Sequence, residues 1–454
     1  MKHSKTPYVF IGFFWFSLFN YVTSFFFNGN AAYQRIAPWY LFIVRDIIYI
    51  ALLAFLVYEI NLSSIKRTIG PAYLKFMKWY SILICIYLVV VLAHLFHRDL
   101  KGVMQHDIRN IAGYSFFLPF LPVIFKKSED IELLIKNILY GGVVMSVLGL
   151  ITFYIEPFRR TWGGRAFATM NTPNILAAFL ALCMFIVMGR WEKLGHKKSL
   201  LFLSVYLISF VMSNSVTVFL IVNFGLFFLL IFKFGFWRGI LFSGLTCFIM
   251  IFLSMSLKVA DNFSYGIKNS ILQCYSTDRY LIDKVDSITR GNLYALILPG
   301  KNTWDRREPI RGYRIRRSQL IAFAKGEIFA ATFSKGLNLK YISCLLFGDF
   351  SSDKYKKFDS QYYNLMANSG IVGMLIFLFL FGWGVWEGIK SWLNGGGDLA
   401  LPFSIFVLSM IAVGFYGIAF LNRFPINFFL YLSLGIIFLE KDRVIKAADE
   451  AAKA

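Results

Sequence analysis

Asp359-Ser360-Gln361-Tyr362-Tyr363-Asn364, followed from Gly370-Ile371-Val372-Gly373 by a hydrophobic run, decides how this chain is read. Before it lies a polar stretch, Lys258 to about Lys357, that interrupts an otherwise apolar sequence. That stretch carries six arginines in twelve residues: Arg306, Arg307, Arg311, Arg314, Arg316 and Arg317. One large polar loop set among hydrophobic helices follows from this pattern. An active site is expected where the loop meets the helix.

Working outward, the composition is 58% hydrophobic, 19% aromatic and only 16% charged, which excludes an ordinary soluble domain. A bilayer core of roughly 30 Å needs about 20 apolar residues per helix, and runs of that size recur along the chain. The short alternating segments of a membrane β-barrel are absent from the sequence. The fold class expected is all-α: a polytopic helical membrane protein, one transmembrane domain over residues 1–454. About twelve spans are read, at 8–27, 38–60, 75–96, 108–126, 132–155, 173–189, 198–213, 215–233, 237–257, 361–390, 399–420 and 424–440. Pro119 and Pro122 weaken the fourth, and the pair 198–213 and 215–233 is short. Residues 8–27 are long enough to span and lack a small-residue cleavage site, so they read as an anchor rather than a cleaved signal.

The net charge of +22 invites a nucleic-acid reading, but cytoplasmic loops of membrane proteins also concentrate Lys and Arg. With the N-terminus inside, nineteen basic residues fall on cytoplasmic segments and span ends, against eight on the short external loops. The bias places both termini in the cytoplasm and the loop 258–360 outside. That loop holds eighteen Lys/Arg against ten Asp/Glu, a surface suited to a phosphate-bearing lipid rather than to nucleic acid. Within it, Ser318–Thr332 has the spacing of an amphipathic helix lying on the membrane. The tail 447–454 reads as a frayed end. Cys85, Cys183 and Cys247 read as apolar packers, whereas Cys274 and Cys344 share the external loop, where a disulfide is chemically permitted.

Three groups of residues carry candidate chemistry. Asp359 meets a span at the membrane face, where a carboxylate can take a proton from an attacking hydroxyl. It is equally a good helix N-cap. Gly370 and Gly373 let neighbouring helices approach. Arg165, in Arg159-Arg160-Thr161-Trp162-Gly163-Gly164-Arg165 ahead of Asn171-Thr172-Pro173-Asn174, offers a planar fork of donors for phosphate oxygens. The plainer alternative is an arginine anchored to lipid headgroups. The run 306–317 supplies further guanidinium groups for a leaving pyrophosphate, or merely a solvated basic face. His94, His97, Asp99, His106 and Asp107 form a loose set without a recognised metal spacing. Arg45 and Asp46 lie inside a span; adjacent residues diverge on a helix, so each is expected to pair elsewhere. No phosphate-binding glycine loop, GxSxG or HExxH motif occurs.

Asp359-Ser360, nine residues, then Gly370-Ile371-Val372-Gly373 resembles the signature of O-antigen ligases and related polysaccharide polymerases. In the ligases it reads His, then Asn, Ser or Gln, nine residues, Gly, two residues, and Gly, Thr or Tyr. Arg165 ahead of Thr172-Pro173-Asn174, and the large loop before the tenth of twelve helices, are similar too. The motifs span some thirty residues, the architecture most of the chain. Asp359 where the ligases have histidine leans the resemblance towards a polymerase that joins lipid-linked repeat units.

The resemblance implies a metal-independent, cofactor-free, inverting glycosyl transfer at the outer face of the bacterial cytoplasmic (inner) membrane. Undecaprenyl-pyrophosphate-linked glycans would be donor and acceptor, among membrane lipids, with a chain-length regulator and a flippase as pathway partners. Asp359, Arg165 and a loop arginine would be catalytic. Arg317 is the first choice for the latter, with Arg314, Arg311 and Arg160 expected to bind pyrophosphate. A ligase, a lipid flippase or transporter, and an export scaffold are the competing classes.

Overall fold

The structure is a computed structural model that describes residues 5–19, 39–60, 68–95, 108–109, 112–155, 165–170, 172–213, 215–256, 361–395, 397–414 and 420–453. These residues are largely helical and contain no strand. The helices are α1 (Thr6–Phe19), α2 (Trp39–Glu59), α3 (Pro71–Leu95), α4 (Ser128–Tyr154), α5 (Pro173–Gly189), α6 (His196–Met212), α7 (Val216–Phe234), α8 (Phe236–Ser256), α9 (Gln361–Leu393), α10 (Ala400–Gly414) and α11 (Ile426–Lys453). Segments of three of them are long and apolar enough to cross a membrane: Pro71–Leu92, Ser128–Tyr154 and Ser369–Leu393. Several others are equally apolar but shorter. Leu241 and Phe248 on α8, and Ile50 and Val57 on α2, stand more than half exposed. Apolar side chains in such number on the outside of a bundle mark a surface made for a non-aqueous neighbour.

The centre is α5. Every residue from Ile175 to Val187 is buried, as expected of a helix that is apolar all round. It packs against α4, α6, α7, α10 and α11. It also touches α11, whose Phe429 ring stacks on Phe179 at 5.0 Å. Helices α1, α3 and α9 close the other side of α11 through Phe10, Phe76 and Phe381.

Hydrogen bonds and ion pairs sort the helix ends into two layers. At one end lie the start of α4 (Glu132), the residues after α5 (Arg190, Lys193), the end of α7 (Lys233), the turn before α10 (Asp398) and the later part of α11. There Arg443 donates to the Phe125 and Lys127 carbonyls, and Asp442 accepts from the backbone N–H groups of Ala72 and Tyr73 at the start of α3. Gly70 is required there, because a Cβ would run into the Asp442 carboxylate. At the other end lie the close of α1, α4 and α6 and the starts of α2, α5 and α7. Helices α4 to α7 thus run alternately up and down, whereas α3 and α4 both start at the same end, with the broken segment 113–124 between them.

Four sequence expectations are corrected. Residues 108–126 are not one helix: short turns, Gly113–Ser115, Leu118–Phe120 and Leu121–Ile124, replace it, with Pro119 and Pro122 removing two backbone donors. Irregular backbone is tolerated in an apolar interior only where its polar groups are satisfied. Here Tyr49 donates to the Gly113 carbonyl at 2.8 Å, Tyr73 to the Leu118 carbonyl at 2.6 Å, and Tyr80 bonds the Ser115 hydroxyl. Residues 361–390 form a broken span, because Gly370 takes φ 67° and ψ −168° and separates a short helix from a long one. The tail does not fray at 447; α11 continues to Lys453. Cys85 faces outward rather than packing inside, whereas Cys183 is buried as expected. The separate helices expected at 198–213 and 215–233 are found as α6 and α7.

Candidate functional site

The loop 165–170, which feeds into α5, is held from three sides. The backbone N–H of Ala166 donates to the Met212 carbonyl at 2.9 Å. Those of Phe167 and Ala168 both donate to the Thr152 hydroxyl oxygen at 3.2 Å. The Thr169 hydroxyl donates to the Leu18 carbonyl at 2.7 Å. Ala168, fully buried, sits at φ 49°, a left-handed conformation that stores strain in a residue with a Cβ. The fold holds this loop to one shape against its own preference.

What that shape positions is Arg165. Its Nε donates to the Ser213 carbonyl at 2.9 Å, and its Nη2 donates to Asn174 Oδ1 at 3.2 Å. The Ser215 hydroxyl donates to the same Asn174 oxygen at 2.8 Å. Among the described residues no carboxylate comes within 4.0 Å of the guanidinium. Of its five N–H donors, the described residues engage two. Burial pulls its pKa below the ordinary arginine value, yet a guanidinium remains protonated at any physiological pH.

The electrostatics run against a structural role. Asn174 is in the first turn of α5, where the Thr172 hydroxyl caps the Ile175 N–H at 3.3 Å, and Ser215 immediately precedes α7. Both are the positive ends of helix dipoles, where a cation is disfavoured and an anion favoured. A positive charge held there by neutral acceptors, with donors to spare, is arranged to receive an anion.

A second polar cluster lies at the same end. Arg45 Nε is 3.2 Å from Asp46 Oδ1, Arg109 Nη1 is 3.3 Å from Asp46 Oδ2, and the Tyr114 hydroxyl donates to Asp46 at 3.0 Å. The expectation that Arg45 and Asp46 do not face each other is therefore corrected. The arginine stem is long enough to fold back on its neighbour, and its guanidinium stacks between Tyr114 and Phe424 at 5.5 and 5.2 Å. Asp46 does pair elsewhere as well, through Arg109 and Tyr114. Here the two arginines share one carboxylate.

Of the residues singled out in the sequence, Arg165, Gly370, Gly373, Arg45 and Asp46 lie among the described residues. Asp359, Arg160, Arg311, Arg314 and Arg317 lie outside them, as do the expected helix 318–332, Cys274, Cys344, His97, Asp99, His106 and Asp107. Gly370 ends a nine-residue helical segment, Gln361–Ser369, that begins two residues after Asp359; its Leu365 and Ser369 are buried. The spacing between Asp359-Ser360 and Gly370 is thus the length of one short helix. Gly373 is close-packed, a Cβ there meeting the Ser369 hydroxyl. Sequence reasoning missed Asn174, Ser213 and Ser215 as partners of Arg165. The available signal was Thr172-Pro173-Asn174 as a helix start and Ser213-Asn214-Ser215 breaking two apolar runs.

Comparison of the chain with family models, with curated proteins and with solved structures gives no match.

Proposed function

We propose that this protein is an integral-membrane glycosyltransferase that polymerises undecaprenyl-pyrophosphate-linked oligosaccharide repeat units into a surface polysaccharide. Arg165 carries the reading: a partly buried guanidinium without a carboxylate partner among the described residues, fixed at the positive ends of two helices. In this reading the chain crosses the cytoplasmic membrane about twelve times with both termini inside. The Arg165 end is the outer face, and the loop 258–360 lies over it.

In the reaction proposed, the acceptor hydroxyl oxygen attacks the anomeric carbon of the donor as that carbon's bond to pyrophosphate breaks, inverting its configuration. Asp359 takes the hydroxyl proton. Arg165 and Arg317, with Arg160, Arg311 and Arg314 as further pyrophosphate-binding groups, meet the charge that grows on the leaving diphosphate, in the role a metal ion has in other transferases. The test is the lipid-linked glycan profile of cells carrying Arg165→Ala or Asp359→Asn, with membrane insertion checked. Both variants should accumulate single repeat units and lose longer chains. Full-length polymer from either overturns the assignment, whereas polymer that accumulates unattached in a deletion strain identifies a ligase.

A second reading, a lipid-linked glycan transporter, is favoured by the broken segment 113–124 beside Arg45 and Asp46, since transporters place broken helices and charges at their binding sites. It requires movement of the glycan lipid across liposomes without any covalent change.

A further inference from the structure

The guanidinium of Arg165 has no acceptor of its own, so the Asn174 atom facing it must be the carbonyl oxygen. That oxygen has two lone pairs, and the Ser215 hydroxyl, 2.8 Å away, must then donate to the second. The side-chain amide is thereby locked, with its Nδ2 group directed away from both. Among the described residues this NH2 group has no hydrogen-bond partner, although Asn174 is in part shielded from solvent. An aspartate at 174 would accept the same two hydrogen bonds, suit the first turn of α5 better, and give Arg165 the carboxylate that every arginine of the Arg190 and Arg45 clusters has. The chain instead holds the neutral amide.

We infer that Asn174, locked by Ser215, is the specificity-determining residue of the Arg165 site: it aims the guanidinium without neutralising it and adds its own amide N–H donors towards a diphosphate ester. This rests on the glycosyltransferase reading and names the part of the site that selects charge. The ligand class is a diphosphate, which could arrive on a polyprenyl lipid or free in solution. Two positive helix ends, one guanidinium uncompensated among the described residues and a donor amide together match a ligand with more than one negative charge. A structural Asn174 would make opposite demands, because Asp would then serve as well or better.

The experiment uses the full-length protein in lipid nanodiscs and three probes: undecaprenyl pyrophosphate, undecaprenol and soluble inorganic pyrophosphate. Wild-type protein should bind the lipid diphosphate in preference to the neutral lipid. Binding of inorganic pyrophosphate alone would assign the site to a soluble ligand. Asn174→Asp should keep or raise the thermal midpoint while weakening binding of the diphosphate at least tenfold, about 1.4 kcal/mol. Ser215→Ala, which frees the amide to rotate, should weaken binding severalfold with the thermal midpoint little changed. Wild-type affinity in Asn174→Asp would overturn the inference while leaving the glycosyltransferase reading intact. Absence of diphosphate binding by the wild type would instead sink the reading on which the inference rests.

Discussion

Arg190 and Arg165 stand at opposite ends of the same buried helix, and they are treated in opposite ways. Arg190 follows α5 at its negative end, where a cation belongs, and its Nη2 lies 2.7 and 2.9 Å from the two oxygens of Glu132. Asp398 adds a second carboxylate at 3.9 Å. Arg165 sits at the positive end, and among the described residues it is given a backbone carbonyl and an amide oxygen. One arginine is neutralised where the helix welcomes it; the other stays charged where the helix repels it. The first arrangement ties helices together, and the second, in the reading proposed, keeps charge for a ligand.

The largest effect should come from the end that is tied. Arg190 is 3% exposed in its side chain and joins α4 to the turn before α10. Arg190→Ala should destabilise the protein by about 3 kcal/mol, because it removes packing and leaves Glu132 with Lys193 alone. Glu132 is partly exposed, which keeps the figure near the low end for a broken buried pair. Thermal unfolding in detergent checks it, and Arg190→Met separates the stem's packing from its charge. An unchanged midpoint in both variants would remove the tied-end half of the comparison.

How much of this was legible follows from what each feature depends on. The all-helical class, with helices long and apolar enough to span, was legible, since composition and run length answer to bilayer thickness alone. Most helix positions were legible for the same reason. The break in 108–126 was signalled by Pro119 and Pro122, but its repair was not: Tyr49, Tyr73 and Tyr80 come from two other helices. Gly370 was read as a packing residue because glycine in an apolar run carries no mark of its backbone angle. Arg165 was legible as an arginine beside a helix start. That no described carboxylate meets it was not, because its surroundings depend on what Ser213 and Ser215 bring from 40 residues or more along the chain. Asp359 and the loop arginines remain where the sequence put them, as proposals.

The next effect concerns strain. Both strained positions named so far, Ala168 at φ 49° and Gly370 at φ 67° with ψ −168°, lie near helix starts or turns on the stretches that lead to the proposed catalytic residues. Gly370→Ala forces a side chain into a conformation that only glycine adopts freely, at about 1–3 kcal/mol. If the kink serves to aim the short helix after Asp359, polymer length in cells should fall further than the lost stability explains. Retained polymer at an unchanged thermal midpoint would show that α9 can straighten without consequence.

The smallest stability effect should be at Arg165 itself, and its smallness is the point. Arg165→Ala loses two hydrogen bonds, each worth about 1 kcal/mol or somewhat more for a charged donor. Against this it removes a cation from two positive helix ends, each unfavourable by roughly 0.3–1 kcal/mol, and relieves its desolvation. The terms nearly cancel, so the midpoint should move by less than about 1 kcal/mol equivalent while polymerisation is lost. Arg165→Lys should not restore activity, because an ammonium lacks the fork that bonds Ser213 and Asn174 at once and still faces a ligand. A large loss of stability in Arg165→Ala would make the two ends of α5 alike, both of them structural, and would leave the charge at its start without a function.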